Sequence, residues 1–365
     1  MCKMKGIWLY LKEKLKERRC STNLETMKTF GFYKPGSKEE AMDFQLVEEE
    51  KPTATGRDLL VEVKAISVNP TDLRTREGKK DDDESLTVVG RDVAGVVVAT
   101  GDDCSYFNVG DEVFYAGTNN RPGGQSEFHL VDERIVGRKP ASLDFAQAAA
   151  LPLTSITAYE ALFERMGVSK EAADNKGRTI LIIGAAGGVG SIAVQVAKLA
   201  DLTVIGTASR TETVEWAKDH GADHTINHHV EFGPQLENLG INGVDYIFCL
   251  NSPDEHMAGM AKAILPQGKI CSILPAFKPL DLALFGKSVT FVYELMYTRS
   301  VFQTADMVHQ HIMLNELADW VDDNKIRSTM TQHFSPISVD NLKEAYTNLL
   351  TGKTIGKIVL EGPFE

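Results

Sequence analysis

The sequence predicts an α/β protein in which a doubly wound parallel sheet is joined to a second, β-rich domain. Three observations carry this prediction: apolar strands alternating with helices after Pro152, a glycine-rich turn at 184–190, and short β-branched runs between Leu59 and Val136. Continuous Ile/Val/Leu strands that alternate with helices are typical of a parallel sheet covered on both faces. Short strands punctuated by glycine turns indicate a compact, partly open barrel.

The β-rich part is predicted from four runs that are separated by Gly and Pro turns. These runs are residues 59–65, 93–98, 112–115 and 127–131. The stretch 76–84 is strongly charged, and we expect it to be an exposed loop.

The doubly wound part is predicted from alternating strand and helix patterns. The strands are 179–183, 202–207, 244–250, 269–274 and 288–293, and the helices are 191–199, 212–219 and 257–264. A helix at 301–321, a second at 342–350 and a last strand at 357–360 follow, and this tail is expected to pack back on the β-rich part. The predicted organisation is a basic extension at 1–26, a β-rich domain of 27–150 and 298–365, and a parallel-sheet domain of 151–297.

Composition and charge exclude several classes of function. The 365 residues are 43% hydrophobic and 25% charged, as in ordinary globular proteins, and 39 Lys+Arg against 51 Asp+Glu give a net charge of −12. An acidic chain disfavours nucleic-acid binding, and no apolar run approaches the ~18–20 residues of a membrane span. The five cysteines are odd in number and scattered, so we expect no disulfide framework and a reducing, cytoplasmic compartment.

Residues 1–26 differ from the rest because they carry seven Lys/Arg and only three Glu. Trp8, Leu11 and Leu15 stand at roughly helical spacing, which leaves open a basic amphipathic helix on a membrane surface. Interspersed lysines exclude a secretory signal. We expect an appendage to the globular fold, since chain termini are commonly mobile.

The strongest local signal is the segment 182–191, Ile-Ile-Gly-Ala-Ala-Gly-Gly-Val-Gly-Ser. It follows a buried strand and opens a helix, as a dinucleotide-binding turn requires. Gly187 and Gly190 would let the backbone approach a pyrophosphate and let the helix pack on the strand, while the helix N-terminus would face the phosphates. The usual first glycine of this pattern is Ala185 here, and a glycine-rich turn without a ligand is the alternative.

The end of the next strand predicts which dinucleotide binds. An NAD site wants Asp or Glu there to accept from the ribose hydroxyl, and this chain has Thr207-Ala208-Ser209-Arg210 instead. Arg210 can pair with a 2′-phosphate bidentately, so NADPH is the predicted cofactor. The alternative for Arg210 is a solvated side chain that leads a helix.

With these features established, the chain from about Met27 onward resembles the medium-chain dehydrogenase/reductase superfamily. Within it the chain is similar to the zinc-less quinone oxidoreductase and ζ-crystallin branch, and also to bacterial proteins labelled zinc-type alcohol dehydrogenase-like. The matching segments are Ser-Val-Asn-Pro-Thr-Asp at 67–72, Gly-Arg-Asp-Val-Ala-Gly at 90–95, Val-Gly-Asp-Glu-Val at 109–113, 149–159, and the turn at 185–190. The resemblance implies a Rossmann cofactor domain and a GroES-like domain for substrate and catalysis.

The resemblance also allows a test for zinc, because alcohol dehydrogenases of this superfamily ligate it with Cys, with His of a Gly-His-Glu motif, and with a second Cys. The equivalent segments here are Asn-Pro-Thr-Asp at 69–72, Gly-Arg-Asp at 90–92 and Leu-Thr-Ser at 153–155. No soft ligand is present in these segments, and the four-cysteine structural lobe is missing, so we expect no intrinsic zinc. His228-His229 and the pair His309 and His311 are expected to be surface histidines.

Without a Lewis acid, oxidation of an alcohol is disfavoured. A quinone or an α,β-unsaturated carbonyl accepts hydride more easily, because it spreads the incoming charge onto its own oxygen. The predicted function is therefore hydride transfer from NADPH to such an acceptor. Two alternatives stay open: a zinc-type alcohol dehydrogenase, and an NADPH-binding sensor or crystallin-like protein with little turnover.

The resemblance places the candidate residues. Asn69 would face the nicotinamide and the substrate, although it would serve equally as a turn residue before Pro70, and Thr154 would lie near the carboxamide. Arg74 stands where the family often has a tyrosine, so it would either contact the substrate or lie on the surface. The cofactor would be bound by Thr157, Gly187, Gly188, Val189, Gly190, Ser209, Arg210, His228, Asn251, Ile273, Leu274, Pro275 and Ala276.

The strand at Ser288–Tyr293 is expected to close the cofactor sheet. In the resembling superfamily this edge commonly pairs with its equivalent in a second subunit. We therefore expect a homodimer through this strand, which would also cover an apolar sheet edge. A small electrophilic acceptor is the other expected partner, and no nucleic acid or membrane is expected.

Overall fold

The computed structural model describes residues 25–37 and 42–365. The basic extension predicted for residues 1–26 therefore lies outside the described residues, apart from Glu25 and from Thr26, which begins the first strand. The strands of the described part form two large sheets and one two-stranded sheet. None of its helices is long and apolar enough to cross a bilayer.

The elements follow one another along the chain in the pattern that the sequence predicts, with strands first and then strands alternating with helices. The strands are β1 (Thr26–Gly31), β2 (Gln45–Glu50), β3 (Asp58–Ser67), β4 (Asp92–Thr100), β5 (Glu112–Tyr115), β6 (Phe128–Asp132), β7 (Val136–Arg138), β8 (Thr179–Ile183), β9 (Thr203–Thr207), β10 (His224–Ile226), β11 (Val244–Cys249), β12 (Ile264–Ser272), β13 (Thr290–Tyr293), β14 (Met330–Phe334) and β15 (Lys357–Glu361). The helices are α1 (Pro70–Glu77), α2 (Phe145–Ala149), α3 (Pro152–Tyr159), α4 (Gly188–Leu199), α5 (Thr211–Asp219), α6 (Phe232–Asn238), α7 (Pro253–Ala263), α8 (Leu282–Gly286), α9 (Thr298–Phe302), α10 (His309–Asp322) and α11 (Val339–Leu350).

The second half of the molecule contains a six-stranded parallel sheet with the order β10-β9-β8-β11-β12-β13. This is the predicted doubly wound Rossmann arrangement, in which the order reverses between β8 and β11. The central strand β8 is apolar and buried along nearly its whole length, because helices cover both faces of the sheet. Ligands of such sheets bind in the crevice beyond the carboxyl ends of the strands at this reversal.

The other large sheet has seven strands, in the order β14-β15-β3-β4-β5-β7, with β6 also paired to β3. Its β3, β4 and β5 pair antiparallel and match the predicted GroES-like, barrel-type sheet. The C-terminal strand β15 pairs antiparallel with β3, with Val359 opposite Ser67. This pairing brings the last residues of the chain beside Asn69 and the first turn of α1.

Two predictions about this part of the chain were wrong. Residues 301–321 do not form one helix, because Gln303 takes a left-handed conformation with φ of +47° and the Thr304 hydroxyl bonds to Asp306 instead of continuing the turn. The charged segment 76–84 is not wholly a loop, since helix α1 extends to Glu77 and Arg76 is buried. Proline at the first position of α1 supports the helix, because its missing N–H would be unpaired there in any case.

Candidate active site

The glycine turn joins β8 to α4 at the reversal of the sheet. Gly184 has a φ of +93°, in the left-handed region that glycine enters without strain, so it supplies the tight turn in place of Ala185. A Cβ on Gly190 would lie 2.2 Å from the carbonyl oxygen of Gly184, and a Cβ on Gly188 would lie 2.9 Å from Cδ of Lys357. Close packing within the protein therefore explains glycine at these positions.

Packing does not explain Gly187. Its φ of −74° suits any residue, and a Cβ there would meet nothing closer than the Gly184 carbonyl oxygen at 3.6 Å. Gly187 is the N-cap residue of α4, whose first backbone N–H groups have no partner within the helix and carry the positive end of the helix dipole. Open space at a helix N-terminus fits a pyrophosphate, so the turn is suited to a dinucleotide.

The other predicted cofactor residues lie beyond the carboxyl ends of neighbouring strands. Ser209 and Arg210 follow β9 and His228 follows β10, and these strands pair with Thr207 opposite Ile226. Asn251 follows β11 and residues 273–276 follow β12, on the far side of the glycine turn. The structure thus brings the predicted residues to one edge of the sheet, and their contact with a cofactor stays a prediction.

Arg210 is held in place by two groups. Its guanidinium pairs with the Glu212 carboxylate at 3.0 Å and donates to the Lys353 carbonyl oxygen at 2.9 Å. His228 has a buried Nδ1 with no hydrogen-bond partner among the described residues, and burial, helped by His229 and His256, lowers its pKa. Lys353 belongs to the loop after α11, and sequence reasoning missed its approach to this edge because the two segments are far apart in the chain.

Asn69 has the turn position that one of the two alternatives predicts, and its contact with the nicotinamide or the substrate stays a prediction. It precedes Pro70 at the start of α1, and its backbone N–H donates to Asp72 Oδ2 at 2.9 Å. Its buried side chain donates through Nδ2 to Asp92 Oδ2 at 2.8 Å and accepts from Lys357 Nζ through Oδ1. Asn69 is therefore a fixed member of a buried polar cluster.

Lys357 is the centre of this cluster and was missed by the sequence analysis. Its ammonium donates to Asn69 Oδ1, to the Val68 carbonyl oxygen at 2.9 Å and to Asp92 Oδ2 at 3.1 Å, and both ends of the ion pair are buried. The other oxygen of Asp92 accepts from the Leu153 backbone N–H at 2.7 Å. Four segments distant in the chain are thus joined beside the glycine turn. The only sequence signal was a lysine at the start of an otherwise apolar strand.

A second buried group surrounds Asp72. Its carboxylate accepts from the Asn69 and Gly90 backbone N–H groups and from the Tyr346 hydroxyl at 2.9 Å. The Tyr346 oxygen in turn accepts from Gln125 Nε2 at 2.8 Å. Burial raises the pKa of Asp72, against the lowering effects of the Arg91 guanidinium and of these hydrogen bonds.

The remaining predicted site residues divide into two groups. Thr154 and Thr157 are buried on α3, and their hydroxyls donate to the carbonyl oxygens of Leu151 and Leu153 in the preceding turn. Arg74 is exposed on α1. The structure buries a different cation in this region, Arg91, near Asp72 and Tyr297. The described residues contain no group of three or more His, Cys, Asp or Glu side chains arranged to hold a metal ion.

Comparisons with known proteins agree with this architecture. A family model described as alcohol dehydrogenase GroES-like domain matches residues 55–141, and one described as zinc-binding dehydrogenase matches residues 220–360. A zinc-type alcohol dehydrogenase-like protein of Staphylococcus aureus is 42% identical over 335 residues, which cover 92% of this chain and 99% of the relative. A 2-methylene-furan-3-one reductase of Solanum lycopersicum is 32% identical over 311 residues, covering 83% of this chain and 71% of that protein.

Solved structures show the same fold over nearly the whole chain. A Rhizobium etli protein assigned as a zinc-dependent alcohol dehydrogenase is 47% identical, with a TM-score of 0.87 and coverage of 93% of this chain and 99% of that one. The quinone oxidoreductase of Coxiella burnetii is 26% identical, with a TM-score of 0.75 and coverage of 93% and 100%. Fold and site together define a two-domain oxidoreductase. The chain belongs to the medium-chain dehydrogenase/reductase superfamily, close to the staphylococcal zinc-type alcohol dehydrogenase-like proteins.

The contrast between Gly187 and Gly190 gives a matched pair of substitutions. Gly187→Ala is expected to leave the melting temperature nearly unchanged and to weaken dinucleotide binding by about tenfold or more, because the added methyl group fills only the space open to a pyrophosphate. Gly190→Ala is expected to lower the free energy of unfolding by about 1–3 kcal/mol, because its Cβ collides with a backbone oxygen. Thermal unfolding and dinucleotide titration measure both. Unchanged dinucleotide affinity in Gly187→Ala would contradict the assignment of the turn.

Proposed function

We propose that this protein is a zinc-independent reductase that transfers hydride from NADPH to a quinone or an α,β-unsaturated carbonyl. The observation that carries the proposal is the set of side chains at the positions where related alcohol dehydrogenases bind zinc. Arg91 takes the position of the histidine ligand in the motif that the resemblance aligns, and Lys357 bonds the adjacent Asp92. Arg91 offers a metal ion no ligand atom, and the Asp92 carboxylate is already bonded to Lys357, to Asn69 and to the Leu153 backbone N–H.

A site of this kind suits an acceptor that holds the incoming electron pair itself. When hydride adds to an enone or a quinone, the negative charge appears on the carbonyl oxygen of the acceptor, and buried donors can stabilise it. Oxidation of a simple alcohol requires instead that its proton be removed, which zinc makes possible in related enzymes. The proposal is supported by the activities of relatives and structural neighbours, which include a furanone reductase and quinone oxidoreductases.

We propose that the protein prefers NADPH to NADH because of the residues that follow β9. The segment 207–210 contains Arg210 and no carboxylate. The guanidinium lies at the carboxyl edge of the sheet beside Lys353, and its ion-pair partner Glu212 is exposed, so a 2′-phosphate can replace that partner. The dianionic phosphate offers Arg210 a stronger charge-assisted interaction than one solvated carboxylate does.

The deciding experiment is turnover measured with and without a chelator. NADPH oxidation is followed against a panel of benzoquinones, naphthoquinones, alkenals and enones, with simple alcohols plus NADP⁺ as the comparison. We expect chelator-insensitive reduction of at least one acceptor and substoichiometric zinc in protein purified without chelator. Activity that a chelator abolishes would instead support the alcohol dehydrogenase alternative. NADPH binding without turnover of any acceptor would support the sensor alternative.

Cofactor preference has its own test at Arg210. Arg210→Ala is expected to weaken NADPH binding by about 10–100-fold and to leave NADH binding nearly unchanged, because only NADPH carries the 2′-phosphate. Dissociation constants for both dinucleotides, measured by fluorescence titration of wild type and variant, give the comparison. NADH serves as the internal control for folding. An equal loss for both dinucleotides, or tighter binding of NADH by the wild type, would contradict the assignment.

We also propose that two copies of the chain associate through the edge strand β13. This strand pairs only with β12, which leaves its other edge open among the described residues. Large apolar side chains that flank it in the chain are exposed: Phe277 by 86%, Leu282 by 85%, Phe285 by 89% and Phe302 by 75%. Exposed apolar surface beside an open strand edge is typical of a subunit interface.

The dimer proposal is tested by light scattering after size-exclusion chromatography. The wild type is expected to have twice the mass of one chain, and Phe285→Glu is expected to dissociate at concentrations where the wild type does not, because a buried carboxylate opposes association. Val109→Glu changes another exposed apolar residue, on the β-rich part, and is the control. A wild-type protein that elutes as a single chain would rule the dimer out.

A further inference from the structure

Arg91 is a buried cation, and not all of its N–H groups donate a hydrogen bond. The residue is 3% exposed, and Nη1 donates to the carbonyl oxygens of Thr118 at 2.6 Å and Arg121 at 3.0 Å. The buried Nε has no hydrogen-bond partner, and no carboxylate of the described residues forms an ion pair with this guanidinium. Buried cations are normally paired, so an unpaired guanidinium is costly unless a ligand completes it.

Tyr297 lies close to Arg91 and is also a buried polar side chain that lacks a well-formed hydrogen bond. Its side chain is 3% exposed, and the hydroxyl makes no hydrogen bond of good geometry with the described residues; a weaker hydrogen-bond contact with the Thr71 side chain lowers the pKa of Tyr297. Burial raises the pKa of Tyr297 well above the usual value; Arg91 lowers it, and Asp72 and Asp92 raise it. The hydroxyl therefore stays protonated at neutral pH and is available as a hydrogen-bond donor.

A nearby tyrosine provides the comparison. Tyr346 is equally buried beside Asp72, and its hydroxyl both donates to Asp72 and accepts from Gln125. The fold thus completes the hydrogen bonds of one tyrosine in this region and leaves those of Tyr297 unmade. Buried tyrosine hydroxyls usually find a partner, which indicates that the partner of Tyr297 is not part of the chain.

We propose that Tyr297 and Arg91 together bind the carbonyl oxygen of the acceptor and stabilise the negative charge that develops there. This inference rests on the proposed reductase function. The acceptor receives a hydride from NADPH at carbon, the π electrons of the conjugated system move onto the oxygen, and NADP⁺ is formed. Tyr297 donates a hydrogen bond and keeps its proton, while a proton from water completes the reduced product.

The chemistry of the surroundings favours a carbonyl oxygen over a permanent polyanion. Asp72 and Asp92 influence Tyr297 as Arg91 does, and Lys357 pairs with Asp92, so the buried charges of this region are close to balanced. A phosphate dianion would leave them with a net negative charge. A carbonyl oxygen is neutral when it binds and becomes charged only during hydride transfer. One cation and one neutral donor therefore act most strongly on the transition state, where they contribute to the rate.

Tyr297→Phe tests the proposal because the substitution removes an oxygen that makes no well-formed hydrogen bond with the described residues. We expect kcat for the acceptor found in the panel to fall by about 100-fold, with NADPH affinity unchanged. The melting temperature is expected to stay constant or to rise, because an unpaired buried hydroxyl no longer has to be desolvated. Tyr106→Phe, at a partly exposed ring stacked on His311, is the matched control and should change neither quantity. A fall in melting temperature with a parallel fall in activity would indicate a merely structural role and overturn the proposal.

A second readout does not depend on turnover. The phenolate of 4-nitrophenol absorbs visible light and carries its charge on an oxygen attached to a ring, as a reduced quinone does. We expect the NADP⁺-loaded wild type to bind this phenolate, and Tyr297→Phe and Arg91→Lys to bind it about tenfold more weakly. Arg91→Lys keeps the charge and loses the fork of donors, so it separates the hydrogen bonds from the charge.

The two readouts distinguish the failure of this inference from the failure of the proposed function. A wild type that reduces no acceptor but binds the phenolate in a Tyr297-dependent way supports the oxyanion site and refutes the reductase function. A wild type that reduces quinones or enones, with Tyr297→Phe equal to it in kcat, refutes the oxyanion site and leaves the function standing. Failure to reduce any acceptor and to bind the phenolate refutes both.

Discussion

The buried ion pair between Lys357 and Asp92 is the interaction on which the arrangement of the site depends. It joins β15, β4 and the residue before α1, while Asp92 also accepts from the first turn of α3. The Lys357 side chain lies against Gly188 of the glycine turn. Loss of one partner from a buried pair typically costs about 3–5 kcal/mol, because the remaining charge is left unpaired. This ion pair therefore fixes the position of the glycine turn relative to the β-rich sheet, and substitution of either partner is expected to destabilise the protein.

The same pair shapes the chemistry that the site can support. Lys357 uses its ammonium protons on Asn69, Val68 and Asp92, so Asp92 is neutralised and fully bonded within the protein. An aspartate committed in this way is a poor candidate for a metal ligand or a general base. Among the described residues, the Nε of Arg91 and the hydroxyl of Tyr297 are buried donors without a well-formed hydrogen bond. Donors suit a reaction in which charge develops on an oxygen of the substrate.

The sequence predicted the elements whose signal is local. Continuous apolar runs predicted the parallel strands, and the spacing of Gly187 and Gly190 after a strand predicted the turn. Helix α1 was missed because Asn69-Pro70 reads equally well as a turn, and the division of 301–321 was missed because the left-handed Gln303 leaves no mark in the hydrophobic pattern. Lys357 lies 265 positions from Asp92, and no periodicity reports a contact of that range.

Buried polar groups that have hydrogen-bond partners lie next to buried polar groups that have none. This difference bears on the function of the site. Asp72 and Tyr346 have their partners within the chain: Tyr346 donates to Asp72 and accepts from Gln125 Nε2, although the Oε1 of Gln125 has no partner. Tyr297 and the Nε of Arg91 are as deeply buried and lack a well-formed hydrogen bond. Poor packing of the whole region cannot explain this contrast, because the bonded and the unbonded groups lie in the same surroundings. Selective retention of costly unpaired donors is the pattern expected of preorganised catalytic groups, which are desolvated in advance and aimed at the charge that the reaction creates.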